Sequence, residues 1–530
     1  MRPAKSSKYI LLLFIVVCSV CIPISTEYND AVIEAVNRNR DHIMYTLHPI
    51  KIQENSHIHR KVAGITEYNK STLQEKLAVV LQDKRLDGAL ISLSIREANT
   101  GNILYSHNEN IRLHPASNMK ILTAVSAFEN LGPEYRFRTE VLMTGKIKKK
   151  ALEGDIILKG QGDPTLMQGD FERFAIELKE KGIHEVSGNI IADDTWYDDI
   201  RLSQDINWSD ESVHYGAQVS ALTLSPDMDY DSGTVIVELR PGKSVGDKAE
   251  VKVYPDTHYV TIINNTKTVA ADASGKIEFE REHGTNTIVF NGTIPLKNKT
   301  SKNWVAVWEP TNYTAHVFRE TLEENGISFS GKSKIILSKT PKNAKLLATK
   351  ESIPLKELII PFMKMSNNGH GETLTKELGM VIHGEGSWEK GLQVIEDTMT
   401  SYGIDNATIL LRDGSGMSHK NLIPASEISN LLFAIQSEDW FHLFEESLPI
   451  AGEPGKLVGG TLRYRMTAAP VKGNVRAKTG SLTGVSTLSG YVNTRSGEKL
   501  IFSIMINNFL SETMKNIEDE IVQLLVNYKE

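Results

Sequence analysis

Pro115-Ala116-Ser117-Asn118-Met119-Lys120-Ile121-Leu122 is the stretch from which the fold of this chain is read. From Ser117 to Leu131 there is no Gly or Pro, and Ile121, Leu122, Val125 and Phe128 recur at helical spacing. Pro115 suits a helix start, and Gly132-Pro133 ends the run. Ser117 therefore falls in the first turn of a helix, with Lys120 one turn on and on the same side. A serine hydroxyl is a weak nucleophile until a base removes its proton. A lysine at this spacing can do that if burial or a second cation lowers its pKa.

Two further motifs follow in order, Ser366-Asn367-Asn368 and Lys478-Thr479-Gly480. Ser366 can relay a proton, and the Asn368 amide can bind a carbonyl and steady Lys120. Lys478 and Thr479 on a strand, followed by Gly480, let a ligand carboxylate lie close to the backbone. Each motif alone has an ordinary explanation. Ser496-Gly497-Glu498-Lys499 repeats the first pattern on an expected hairpin tip, and Ser106-His107-Asn108 and Ser301-Lys302-Asn303 repeat the second. Helix capping, a polar loop and an exposed turn would account for the three separately. Their order and their agreement with helix and strand context favour a serine–lysine acyltransferase.

Composition narrows the class. The 530 residues exceed one ordinary core, so two or three domains are expected. A formal net charge of -7 argues against nucleic-acid binding. Lys146 to Lys150 is read as a solvated turn. No His-Glu-x-x-His and no phosphate-cradling Gly-rich motif occurs, so neither a metal nor another cofactor is expected. His57, His59 and His370 are read as scattered surface residues.

Arg2, Lys5 and Lys8 precede an apolar run from Tyr9 to Ile24. This is a signal peptide or a retained anchor, residues 1–26, and it implies an extracytoplasmic protein. Cys18 and Cys21 are the only cysteines, so disulfides do not hold the fold together. Residues 27–70 read as a polar extension. Globular patterning begins at about Ser71, with Leu73, Leu77, Val80 and Leu81 on a helix face. Strands are expected at Leu90 to Ile95 and Ile103 to Tyr105, around the turn Asn99-Thr100-Gly101-Asn102. Between Phe137 and about Lys339, short alternating stretches separated by turns indicate one or two β-rich inserted modules. Helices return from about Pro354, including Glu372 to His383 and Trp388 to Tyr402. A hairpin then joins Ser486–Val492 to Lys499–Ile506, and a last helix shows Met514, Ile517, Ile521 and Leu524 on one face.

With these motifs the chain resembles the penicillin-binding D-alanyl-D-alanine carboxypeptidases and endopeptidases of the low-molecular-mass class C type, peptidase family S13. The resemblance runs from about residue 75 to the end. It rests also on the long Ser117-to-Ser366 insertion, on Gly160-Gln161-Gly162-Asp163-Pro164-Thr165-Leu166, on Ser220-Ala221-Leu222-Thr223 and on Asp413-Gly414-Ser415-Gly416-Met417-Ser418.

The resemblance implies an α+β fold. A discontinuous penicilloyl-serine-transferase-like domain, of the β-lactamase/transpeptidase type, would comprise 71–136 and 340–530. An inserted domain would comprise 137–222 and 305–339, with a second, at 223–304, nested in it. It further implies that Ser117 attacks the penultimate D-Ala carbonyl of a peptidoglycan stem peptide, with Lys120 as base. Ser366 and Lys478 would return the proton, the Ser117 and Ser481 N–H groups would hold the oxyanion, and Lys478 and Thr479 would bind the terminal carboxylate. β-Lactam antibiotics would acylate the same serine. Trp196 and Asp199 match the family's Trp-x-x-Asp pattern for a diamino-acid side chain, and Leu482 would line that pocket. His419-Lys420 stands where the family commonly has Arg, which implies a different substrate preference if that Arg shapes the pocket. Peripheral association with membrane or wall is compatible with this reading. The rival functions are a β-lactamase or esterase, which the long insertion disfavours, and a non-catalytic penicillin-binding sensor or wall-binding module, which has no need of a nucleophile.

Overall fold

A computed structural model describes residues 72–511 and 513–529 of the chain. The expected signal segment, the polar extension and both cysteines lie outside the described residues. Residues 71–530 form one compact unit.

Its frame is a five-stranded antiparallel sheet. The strand order is Ile103–His107, Leu90–Glu97, Lys499–Asn507, Val485–Asn493 and Val475–Leu482. Both ends of the described chain therefore build one sheet. Its middle strands read as unbroken apolar runs because both faces are covered. From Lys499–Asn507, Ile501 and Met505 pack into the core under the central helices. Phe502, Ile504 and Ile506 point the other way, under Leu73–Val80 and Lys515–Val526. The Lys478-Thr479-Gly480 strand is an edge strand; its outer side is bonded to Pro449 and Ala451 at Ala477 and Val475, before the motif begins.

The expected Ser117 helix is Met119–Asn130, entered through a 3₁₀ turn at Ala116–Asn118. The helix expected from Glu372 begins earlier, at Asn368, and runs to His383. The Asn367 side chain caps it by accepting from the His370 N–H at 3.0 Å, so Gly369 and Gly371 do not delay its start. Ser366-Asn367-Asn368 is thus a helix entrance rather than a free loop.

Between these helices lies the insertion. Its main sheet runs Ile335–Leu337, Ile190–Asp193, Ile156–Gln161, Arg138–Met143 and Lys345–Glu351. Two helices that alternation alone does not reveal, Gln168–Glu180 and Pro310–Glu324, accompany it. Lys345–Glu351 pairs antiparallel with Arg138–Met143. Past residue 340 the chain thus still adds an edge strand to this sheet. Inside the insertion sit two three-stranded sheets. Ser301–Ala306 pairs with Thr234–Arg240 across the boundary expected at 304.

Candidate active site

Ser117, Lys120, Ser366, Asn368 and Lys478 come together from three elements. Lys120 Nζ donates to Ser117 Oγ at 3.1 Å, to Asn368 Oδ1 at 2.7 Å and to the Ser415 carbonyl at 2.7 Å. Lys120 is wholly buried, and that burial brings its ammonium down to about 7 against the opposing pull of Glu372 and Asp413. Lys478, equally buried, donates to Ser366 Oγ at 2.8 Å and to the Thr479 carbonyl at 2.8 Å. Burial first, and Lys120 second, hold its pKa well below the ordinary lysine value. Two buried amines with lowered pKa values thus stand on two hydroxyls, each with a different partner.

The backbone at both serines is held in an uncommon state. Ala116, before the nucleophile, has φ 45°, and Ser366 itself has φ 61°. Non-glycine residues enter this region at a cost that the surroundings must offset. Around Ser117 they do so by clamping. Thr487 Oγ1 donates to the Pro115 carbonyl at 2.8 Å, and Asn118 Nδ2 to Ser489 Oγ at 2.7 Å. Both clamps tie the turn to Val485–Asn493. A Cβ on Gly480 would lie 2.2 Å from Thr487 Oγ1 and 2.9 Å from the Pro115 carbonyl, so only glycine lets the edge strand pass this close.

The Asp413-Gly414-Ser415-Gly416 loop aims Lys120. Asp413 accepts from the N–H groups of Gly416 at 2.8 Å and Ser418 at 2.6 Å, and from Asn421 Nδ2 at 2.7 Å. Glu372 accepts from Ser415 N–H at 3.0 Å, Gly414 N–H at 3.1 Å and Trp388 Nε1 at 2.7 Å. Burial pushes both carboxyls above their ordinary range, and for Glu372 repulsion from Asp413 adds to it. Thr479 Oγ1 donates to Thr461 Oγ1 at 2.8 Å, which sets a pair of hydroxyls beside Lys478.

A model of the D-Ala-D-Ala carboxypeptidase 3 (S13) family matches residues 73–528. The chain belongs to this family. It is 38% identical over 459 residues to a D-alanyl-D-alanine carboxypeptidase from an Actinomadura species, covering 86% of this chain and 85% of that one. It is 28% identical to D-alanyl-D-alanine carboxypeptidase DacB of Haemophilus influenzae, over 81% and 88% of the two chains. The crystal structure of penicillin binding protein 4 from Haemophilus influenzae superposes with a TM-score of 0.74 at 24% identity, over 85% of this chain and 99% of that one. The same relative complexed with a β-lactam gives 0.69 at 26% identity, over 86% and 100%.

Within this S13 site the weaker expectations fare differently. Ser481 is exposed and Leu482 half-buried at the end of the edge strand, just past Gly480. The contacts of Trp196 and of the Asp199 neighbourhood run to the helix that Asn368 begins. Trp196 Nε1 donates to Glu377 Oε2 at 3.1 Å. Glu377 lies nine residues beyond Asn368 on one helix, or ~13 Å along its axis. Glu377 also accepts from Tyr197 at 2.6 Å and from Tyr135, so Trp196 belongs to the seam between insertion and catalytic core. Asp199 is exposed; its neighbour Asp198 makes the contact, with Lys376 at 2.5 Å. A Trp-x-x-Asp pattern does not say which way its tryptophan faces.

His370 is not a surface residue. It is wholly buried, its Nε2 3.0 Å from the Tyr230 carbonyl. Burial holds its pKa down to about 4. At His419-Lys420, Lys420 meets Asp205 at 2.5 Å, and Arg412 reaches the same carboxylate at 2.8 Å. An arginine thus stands there from another position. Sequence reasoning missed Glu372, Asn118 and Thr461. It noted the Asp413 loop only for its resemblance, although an Asp followed by two spaced glycines is itself a tight-loop signal. Among the described residues no group of three or more His, Cys, Asp or Glu is placed to hold a metal.

Proposed function

We propose that this chain is a serine D-Ala-D-Ala carboxypeptidase and DD-endopeptidase that works on peptidoglycan stem peptides through an acyl-enzyme at Ser117. The observation that carries the reading is the fully buried Lys120, brought down to about 7 and set 3.1 Å from Ser117 Oγ. Neutral Lys120 takes the Ser117 proton as Oγ attacks the penultimate D-Ala carbonyl. The N–H groups of Ser117 and Ser481 receive the developing oxyanion. The Lys478–Ser366 pair hands a proton to the leaving amine as the C–N bond breaks, and the proton that Lys120 took from Ser117 replaces it, so Lys120 is neutral again. Thr479, with Thr461 behind it, takes the leaving group's carboxylate. Water, deprotonated by the same lysine, then frees the acid and restores Ser117.

A β-lactam would enter by the same attack and remain as a slowly hydrolysed ester. The apolar, basic-headed N-terminus supports an extracytoplasmic location. Among the described residues no helix is long and apolar enough to cross a membrane. The test is to follow the adduct with a fluorescent penicillin by mass spectrometry and to assay D-Ala release from a stem pentapeptide. A long-lived adduct on Ser117 with D-Ala release is expected. Rapid adduct loss without D-Ala release would replace this reading with a β-lactamase, and an adduct that persists in Ser117→Ala would overturn it.

A further inference from the structure

A cavity of about 250 Å³, open to solvent, lies beside the Ser366–Lys478–Thr479 corner. Its floor is Met365, adjacent to Ser366, and Thr461, the hydroxyl partner of Thr479. The insertion closes one side with His214, Asp229 and Asp231; the loop after Glu453 closes the other with Lys456 and Arg463. These two sides are joined by the Lys456–Asp229 ion pair. A second tie runs from Asn367 Nδ2, inside the Ser366 motif, to Asp231 Oδ1 at 2.9 Å.

The position of this cavity follows from the reaction. If Ser366 protonates the leaving amine and Thr479 holds the carboxylate on the next carbon, whatever else that carbon carries must extend past Ser366 and Thr479, away from Ser117. The cavity is what lies there. Free D-Ala carries only a methyl group on that carbon, which needs neither this volume nor charged walls. A cross-linked strand carries much more. Its leaving amine belongs to an amino acid whose chain continues into a second peptide with further amides and carboxylates.

The Arg463 guanidinium is suited to meet such a strand. It donates to the Gly460 carbonyl at 2.6 Å and lies 4.8 Å from the centre of the Tyr464 ring. Among the described residues it makes no ion pair. Tyr464 is 82% exposed, so the pair forms an outward-facing rim of cation and aromatic ring. Arginine's fork can bind a carboxylate through two hydrogen bonds where a lysine offers a point charge.

We propose that this cavity is the subsite for the leaving strand of a cross-linked peptide, with Arg463 as its carboxylate-recognising residue. The proposal rests on the acyl-enzyme reading above and adds to it a residue that separates cleavage of cross-links from release of free D-Ala.

The test compares two probes. One is a stem pentapeptide; the other is a peptide dimer whose penultimate D-Ala is joined to a side-chain amine of a second stem. Arg463→Ala is expected to lower kcat/KM on the dimer at least tenfold. It should leave D-Ala release from the pentapeptide, and acylation by penicillin, within twofold. Arg463→Lys should recover part of the loss, and Lys456→Ala should shift the dimer rate in the same direction. Retained acylation shows that a variant is folded. An Arg463→Ala enzyme that loses both peptide activities equally, or neither, overturns the subsite and leaves the acyl-enzyme reading standing. A wild-type chain that forms no adduct and cleaves neither probe overturns both.

Discussion

Ser415 gives its carbonyl oxygen to Lys120 Nζ at 2.7 Å while its own N–H donates to Glu372 at 3.0 Å. One residue thus connects a buried carboxyl to the buried amine beside Ser117. The sequence distance between Lys120 and Ser415 is large, yet Lys120 is aimed by this loop as much as by its own helix.

Replacing Glu372 with Gln tests that link. A carboxylate accepts all three donors, from Ser415, Gly414 and Trp388. An amide offers one oxygen and turns an N–H₂ toward the rest. Leaving a buried donor without an acceptor costs about 1–3 kcal/mol. Glu372→Gln should lose about that much stability in urea unfolding. Penicillin acylation should also slow by about tenfold or more, since that corresponds to ~1.4 kcal/mol of lost positioning.

Lys120 sets the pH dependence. In the proposed mechanism the neutral amine is the base, and its pKa is brought down to about 7. The acylation rate should therefore rise with pH, by about tenfold per unit below 7, and level off above it. Lys120→Arg, charged at all accessible pH, should cut acylation by about 10²–10⁴-fold and abolish the profile. A flat profile in the wild-type enzyme would remove Lys120 from the role of base.

Gly416 is a mechanical test of the nucleophile turn. Its φ is +88°, and a Cβ there would fall 1.8 Å from the Ala116 carbonyl, one residue before Ser117. Gly416→Ala should displace the Ala116–Ser117 peptide and reduce acylation by about 10²-fold, the scale of a misplacement near 1 Å. Far-UV circular dichroism should be unchanged, because the helices and sheet do not depend on this turn.

What was legible in the sequence was local. Ser117 and Lys120 share a helix, and Lys478-Thr479 reads as a strand, because helical spacing and apolar alternation were visible in the residues themselves. The expected helix start at Glu372 was late because the cap depends on the Asn367 side chain, which outweighs the two glycines that follow. His370 looked like a surface residue because its burial comes from the Tyr230 loop, far away in sequence. The sheet to which the strand after 340 belongs is hidden for a related reason. Lys345–Glu351 has the composition of an exposed edge, and only its pairing with Arg138–Met143 says which sheet it joins.

Trp196 provides a test of orientation. Its indole donates to Glu377 at 3.1 Å, in the seam between insertion and core. Trp196→Phe keeps the ring area and deletes the donor. It should cost about 1 kcal/mol in unfolding, the usual net value of one hydrogen bond, with kcat/KM for D-Ala release within twofold. A large rise in KM for one stem peptide, without loss of stability, would restore Trp196 to the substrate pocket.

His370 should make the catalytic core sensitive to acid. Its Nε2 is 3.0 Å from the Tyr230 carbonyl, and Nδ1 has no partner among the described residues. The ring is therefore held neutral, donating through Nε2. Charging it would add a buried cation on the side facing Lys120, and the folded-state pKa is about 4 against 6.5 unfolded. The sign follows from linkage. A depressed folded pKa means that the unfolded chain binds the proton first, so the stability from neutral His370 is complete above 6.5 and is lost as pH falls toward 4. The loss between pH 7.5 and 4 amounts to about 3 kcal/mol. The buried carboxyls of Glu372 and Glu377, both raised, slope the other way. The wild-type curve therefore mixes the two effects, and a variant is needed to separate them. Gln can donate to the Tyr230 carbonyl without titrating. Subtracting the His370→Gln urea-unfolding profile from the wild-type profile should give a curve that is flat above 6.5 and falls below it. A difference curve that stays flat down to pH 4 would show that His370 is charged, or free to reach water, in the folded protein.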